Sequence, residues 1–385
     1  MNGRGLWRWA AIVAVAVAGL LLAGRALGEE GQGIDWNKAK DIYQRFQRGD
    51  KLTPDEQAYL EKAKAAKGQS SGKANPPQGG KESTGLVPLT DMKEGQTYKE
   101  MDGGLYGGGK NEPPEDQAKR AKAAAAQIVP LNADGQPAPD GKVVLMSIGM
   151  SNTTQVFSRF KQLADQDSEK SPSLVIVDGA QGGKDAAAWI AGADPLANPT
   201  WAEADRRLKA AGVTSRQVQV VWLKQALIGP GRRGEFPVHA KELYTDIETI
   251  LNLAKAHFPN LRLAYLTSRT YAGYASTQLN PEPYAYESAF SVRWVIEDQM
   301  KGDPKVNCDP ARGEVKAPVV LWGPYFWTDG MKGRLAGDLV WSREDLAGDG
   351  THPSRLGQQK AAELLLRFLK ADPYAKGWFL KGDGQ

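Results

Sequence analysis

From Lys142 onward, short apolar runs alternate with segments whose apolar residues recur every three or four positions. The runs Val143–Ile148, Ser173–Val177, Val218–Leu223, Leu261–Thr267 and Val319–Leu321 have the length and composition of buried strands. Helical spacing marks Trp201–Ala211, Ala240–His257, Ala285–Gln299 and Gln358–Leu369. A further helix follows the first run, where Val156, Phe157, Phe160 and Leu163 share a face. Strand-helix alternation predicts an α/β domain over 142–373 with a mainly parallel sheet covered on both faces. Such sheets place their sites at the carboxyl ends of the strands.

The pattern before Lys142 is different. Residues 1–28 read as an export signal, with Arg4 and Arg8 ahead of an uncharged run from Trp9 to Gly24 and a small-x-small site at Ala26-Leu27-Gly28. An uncleaved anchor is the alternative, although the run is short of the roughly 20 residues of a span. The mature chain is thus expected outside the cytoplasm, secreted or periplasmic. Residues 29–68 read as a helical hairpin, the second helix opening at Thr53-Pro54-Asp55-Glu56 with Thr53 as cap. Residues 69–141 are rich in Gly, Pro, Ser, Lys and Asp and read as an irregular linker or strap that buries little core. Within them, Gly104–Asn111 nearly spells a phosphate-binding loop, but Asn111 stands where a Ser or Thr should be and Pro113-Pro114 bars the helix that should follow. Residues 374–385 read as a C-terminal tail.

Composition narrows the chemistry. A net charge of +4 with both signs interspersed leaves no basic stripe for nucleic acid. Eleven tryptophans and twelve tyrosines serve the core first, and those on loops suit a sugar-binding cleft. The lone Cys308 forms no internal disulfide and has no histidine near it in sequence.

The strand ends carry the candidates. After the first strand comes Gly149-Met150-Ser151-Asn152, a serine at a strand-to-helix turn, where a nucleophile leaves the sheet edge in front of a helix N-terminus. A buried turn with a capping serine is the competing reading. After the second strand, Gly182-Gly183 can bring an N–H against a reacting oxygen or simply form a tight turn. After the third, Lys224 and Gln225 interrupt an apolar run; Gln225 can donate to an oxyanion, and Lys224 can hold an anion or reach solvent. After the fourth, Arg269 and Tyr271 sit in a polar, aromatic cluster suited to substrate, and Arg269 can equally be an ion-paired structural residue. Of three histidines, His257 ends a helix and His239 has no carboxylate at telling spacing. His352 has Asp349 three residues before it in a glycine turn, which lets the carboxylate fix the imidazole tautomer and frees the other nitrogen as a base; a solvated loop is the competing reading. One Asp and one His are too few for a metal.

Together these blocks resemble the SGNH (GDSL-type) hydrolases, closest to the branch with a G-x-S-N block that includes sialate O-acetylesterase-like and acetylxylan esterase-like enzymes. Gly149–Asn152, Gly182-Gly183 and Asp349-Gly350-Thr351-His352-Pro353 match three blocks in order. The third family block, usually an Asn in Gly-x-Asn-Asp or a Gln-Gly-Glu variant, is here Leu223-Lys224-Gln225-Ala226. The resemblance implies a three-layer α/β/α, flavodoxin-like domain and an esterase acting on O-acetyl or other short acyl groups of an acylated small molecule or polysaccharide. Ser151 would be the nucleophile, His352 the base and Asp349 its orienter. Ser151, Gly183 and Gln225 would hold the oxyanion. Asn152, Gly182, Lys224, Arg269 and Tyr271 would contact substrate. No cofactor is implied, a membrane enters only through an uncleaved N-terminus, and the oligomeric state is left open. A non-catalytic carbohydrate- or envelope-binding protein that keeps the fold is the alternative.

Overall fold

The computed structural model describes residues 34–35, 38–39, 42, 52–70 and 81–382. The chain divides into two compact units, Met1–Gly79 and Gly80–Gln385. The expected export segment lies outside the described residues. In the first unit, helix α1 (Pro54–Ser70) opens with the capping box expected at Thr53: its N–H donates to Glu56 Oε2 at 2.9 Å and its hydroxyl accepts from the Glu56 N–H at 3.3 Å. Ile42 and Leu60 are buried together there.

The second unit holds the expected sheet. Five parallel strands are β3 (Val143–Gly149), β4 (Leu174–Val177), β5 (Val218–Lys224), β6 (Leu263–Leu266) and β7 (Val319–Trp322), in the order β4-β3-β5-β6-β7. Every residue of β3, β5, β6 and β7 is buried. Burial of both alternating side-chain sets means that both faces are covered, as the unbroken apolar runs require. Helix α3 (Ser151–Asp165) packs with α8 (Arg355–Ala371), and α6 (Val238–His257) with α7 (Tyr284–Lys301). Two shorter helices, α4 (Ala186–Trp189) and α5 (Pro199–Ala210), lie between β4 and β5 in the chain. Trp222 of β5 stacks on Phe157 of α3, with ring centroids 5.5 Å apart. The fold is therefore the α/β architecture the alternation predicted.

The sequence expectation for residues 69–141 needs correction. From Lys81 onward they supply Leu89, Met92, Leu105, Tyr106, Ala121 and Ala124 to the main core, and α2 (Glu115–Ala125) packs against β7. Its buried face is built from Gln117, Ala121 and Ala124, side chains too small or too polar to give an apolar periodicity. A short hairpin, β1 (Thr97–Tyr98) and β2 (Met101–Asp102), precedes α2. Asp329, 1% exposed, anchors the start of the segment: its carboxylate accepts from Ser83 Oγ at 2.5 Å, Thr84 N at 2.7 Å, Thr84 Oγ1 at 2.8 Å and Gly85 N at 3.1 Å. Asp329→Ala leaves these donors without their acceptor; a hydrogen bond to a charged group contributes about 1.5–3 kcal/mol net, but the four donors lie on exposed or half-buried residues and can turn to water. We expect a loss of about 2–4 kcal/mol in urea unfolding and faster proteolysis near residue 83.

Candidate active site

The site begins with a glycine that the chain geometry demands. A Cβ on Gly149 would lie 2.4 Å from Thr153 Oγ1 and 2.5 Å from Lys224 O, because the first turn of α3 folds back over the strand end. Thr153 Oγ1 uses that closeness to donate to Lys224 O at 2.6 Å. No side chain caps the start of α3, and the N–H groups of Thr153 and Thr154 both donate to Met150 O at 3.0 Å, so the donors next to the Ser151 hydroxyl are the N–H groups of Ser151 and Asn152. Behind it, Asp178 after β4 accepts from Ser147 Oγ at 2.6 Å, Thr154 Oγ1 at 2.5 Å and Ser158 Oγ at 2.6 Å, fixing α3 to the sheet. Asp178 has no local motif; only the three hydroxyls at 147, 154 and 158 hinted at a shared acceptor.

The distant C-terminal block closes on this turn. Ser151 Oγ lies 2.8 Å from His352 Nε2, across 201 residues of sequence. His352 Nδ1 lies 2.6 Å from Asp349 Oδ2. The other carboxylate oxygen, Oδ1, accepts from the N–H of Thr351 and of His352, each at 3.0 Å, so the loop itself holds the carboxylate in place. Burial disfavours the charge on Asp349, but the His352 hydrogen bond, the His352 charge and these two N–H groups hold its carboxyl down at about 2. Asn152 Nδ2 donates to Thr351 O at 2.9 Å and ties the helix of Ser151 to the loop of His352. Asn152 is thus a brace between the two halves of the site, where a substrate contact was expected.

The depressed carboxyl has a consequence for stability. The folded value lies below the ordinary 3.8, so the ionised group stabilises the fold above about pH 4, and this is lost as pH falls through about 2. Urea unfolding of wild type and Asp349→Asn should differ by about 2 kcal/mol less at pH 2 than at pH 5.

The remaining expected residues divide. Gly183 has φ +75° and, like Gly182, is exposed, with nothing within 4 Å of where a Cβ would stand, so the turn tip is open. Its base is fixed by Gln181 N, which donates to Gly149 O at 3.0 Å. Gln225 is 2% exposed, and neither Oε1 nor Nε2 has a partner. Lys224 and Arg269 are each 1% exposed, which excludes the alternative that Lys224 reaches solvent. Tyr271 is buried and donates to Lys81 O at 2.5 Å, so it holds the N-terminal segment and does not line a cleft. His239, without a carboxylate at local spacing, meets Glu287 Oε2 at 2.8 Å from 48 residues away. His257 pairs with Asp205 at 2.8 Å. A cavity of about 600 Å³ beside β7, lined by Trp322, Tyr325, Arg334 and Tyr374 among others, contains none of Ser151, Asp349 and His352. Among the described residues no cluster of three His, Cys, Asp or Glu side chains is placed to hold a metal ion, and no helix is long and apolar enough to cross a membrane.

Chemically, the arrangement contains a hydroxyl, a base that reaches it and a carboxylate that orients the base. No protein-family model matches the sequence, and no curated protein matches it. Among solved structures, a protein provisionally named an acylhydrolase from Bacteroides fragilis NCTC 9343 is similar with TM-score 0.34 and 12% identity, over 66% of this chain and 97% of that one. A family two carbohydrate esterase from Clostridium thermocellum, in complex with cellohexaose, is similar with TM-score 0.34 and 14% identity, over 62% of this chain and 65% of that one, just under two thirds of its length. Likeness this distant assigns no activity, so function must follow from the site itself.

Proposed function

We propose that the protein is an exported serine esterase of SGNH type that hydrolyses O-acetyl or other short acyl esters, with carbohydrate as the carrier. The observation that carries this is the run of contacts from Ser151 Oγ to His352 Nε2 at 2.8 Å and from His352 Nδ1 to Asp349 Oδ2 at 2.6 Å. Ser151 Oγ attacks the ester carbonyl carbon as its proton passes to His352 Nε2. The carbonyl π-electrons move to oxygen. They return as the C–O bond to the alcohol breaks, and the alcohol takes the proton from His352. Water then attacks the acyl-serine with His352 again as base, releasing the acid and restoring Ser151. Asp349 stabilises the imidazolium in both halves without itself being protonated.

The oxyanion is assigned to the N–H groups of Ser151 and Gly183 and to Gln225 Nε2. The buried, unpartnered amide of Gln225 supports its inclusion, since a carbonyl oxygen supplies the missing acceptor. Residues 1–28 support export, and the loop aromatics support a sugar. The test uses a fluorophosphonate probe and 4-nitrophenyl acetate with wild type and Ser151→Ala. We expect labelling at Ser151 and hydrolysis by wild type, with both lost in the variant. A wild type that neither labels nor hydrolyses a broad ester panel would instead be a non-catalytic binding protein.

A further inference from the structure

Buried polar atoms in folded proteins are nearly all paired, so a group of orphans calls for a missing partner. Of the thirteen such atoms among the described residues, five lie on three residues at the carboxyl ends of β5 and β6. Both amide atoms of Gln225, the hydroxyl of Ser268, and Nε and Nη2 of Arg269 are buried without a hydrogen-bond partner. Lys224, the last residue of β5, is as buried as Arg269. The register pairs Gly149 with Lys224, which puts this group one strand from the nucleophile's turn.

Two carboxylates lie in the field of Arg269, Glu282 and Asp349, yet neither bonds to it. Glu282 spends its oxygens on the N–H groups of Ala272 at 2.8 Å and Tyr286 at 2.9 Å and on Trp327 Nε1 at 2.8 Å. Asp349 spends its oxygens on His352 and Thr351. Burial lowers Arg269 to about 10, still charged at neutral pH, while burial and then the Arg269 charge push Lys224 well below the usual lysine range. A charged guanidinium and a lysine whose charged form is disfavoured are thus held near each other in a low-dielectric place, with no carboxylate bonded to either.

The free edge of Arg269 says which ligand fits. Nε–H and Nη2–H lie side by side in the guanidinium plane and match the two oxygens of a carboxylate. A hydroxyl or ester carbonyl offers a single acceptor atom and no charge. A bound anion would pair the orphaned N–H groups and relieve the repulsion with Lys224.

We propose that Arg269 and Lys224 form a carboxylate-binding subsite beside Ser151, so that the ester this protein cleaves carries a carboxylate. The substrate half of this statement rests on the esterase reading; the binding half does not. The carboxylate is carried by the acyl chain or by an acidic sugar such as a uronic acid, and the two are separable by experiment.

Calorimetry on Ser151→Ala, which does not turn over, compares succinate with succinamide and glucuronate with glucose. Turnover by wild type compares 4-nitrophenyl hemisuccinate with 4-nitrophenyl butyrate, and an O-acetylated methyl glucuronoside with the matching glucoside. We expect one carboxylate of the two pairs to bind, and its ester to be cleaved, about 10- to 100-fold better than the neutral partner. Arg269→Met should bring that ratio to near one, and Arg269→Lys should keep part of it, since the charge remains and the fork is lost. If Arg269→Met fails to fold by circular dichroism, the wild-type ratios still decide. Equal binding and equal turnover of charged and neutral partners overturn the subsite, while leaving the esterase intact. Carboxylate binding with no ester cleaved upholds the subsite and overturns the esterase.

Discussion

His352→Ala is expected to lower ester hydrolysis by about 10⁴-fold or more, with KM nearly unchanged. The geometry makes the cause specific. His352 Nε2 is the atom hydrogen-bonded to Ser151 Oγ at 2.8 Å. Without it the hydroxyl must attack with its proton in place, and the loss falls on the transition state, where the proton moves. The loop should survive, because Asp349 Oδ1 still accepts the N–H of Thr351 and of residue 352, and Thr351 O still accepts from Asn152. Circular dichroism should therefore match wild type, and fluorophosphonate labelling of Ser151 should slow with hydrolysis. Activity within tenfold of wild type in a folded variant would place the base elsewhere and sink the triad.

What the chain revealed in advance follows the range of the interactions. Strands and helices were readable because burial on one side or two imposes a short period on the sequence. Ser151, Asp349 and His352 were readable because each sits in a compact motif with a local reason: Gly149 for the turn over β3, and the three-residue step from Asp349 to His352 for the carboxylate. The contact between the two motifs was reached only through family resemblance, since nothing local joins residue 151 to 352. The N-terminal segment was misjudged as poor in core for the same reason. Its anchors are Asp329, some 245 residues away, and Trp322, whose Nε1 donates to Leu105 O at 2.5 Å. Composition reports how many apolar residues a segment owns, not how many donors a distant carboxylate will bind. Asn152 and Tyr271 show the limit from the other side. Polar residues at strand ends suit substrate, but here one joins the Ser151 helix to the His352 loop and the other ties down the segment at Lys81. Gly350, a plain turn residue in the motif, turns out to have no room for a side chain.

That tightness predicts the second large effect. Gly350 has φ +64°, and a Cβ there would lie 1.8 Å from Tyr274 O, 2.3 Å from its carbonyl carbon and 2.8 Å from Ala275 N. All three obstacles are backbone, so no rotamer change clears them. The loop that supplies them is itself fixed: Ser276 N donates to Asp349 O at 2.9 Å, and Lys81 N donates to Gly273 O at 3.0 Å. Gly350→Ala must therefore move the Asp349–His352 loop, in addition to a left-handed backbone cost of about 1–2 kcal/mol. A shift on the order of 1 Å at a catalytic group costs about 10²-fold in rate. We expect kcat to fall by at least about that factor and the urea midpoint to drop with it. Gly348→Ala is the matched control two residues away, with nothing within 4 Å of its added Cβ. It should stay within about 1 kcal/mol of wild type and keep most of its activity. If the two variants behave alike, contact between the Tyr274 loop and the Asp349 loop does not hold the triad, and the 2.8 Å reach from His352 to Ser151 must depend on the Asn152 brace alone.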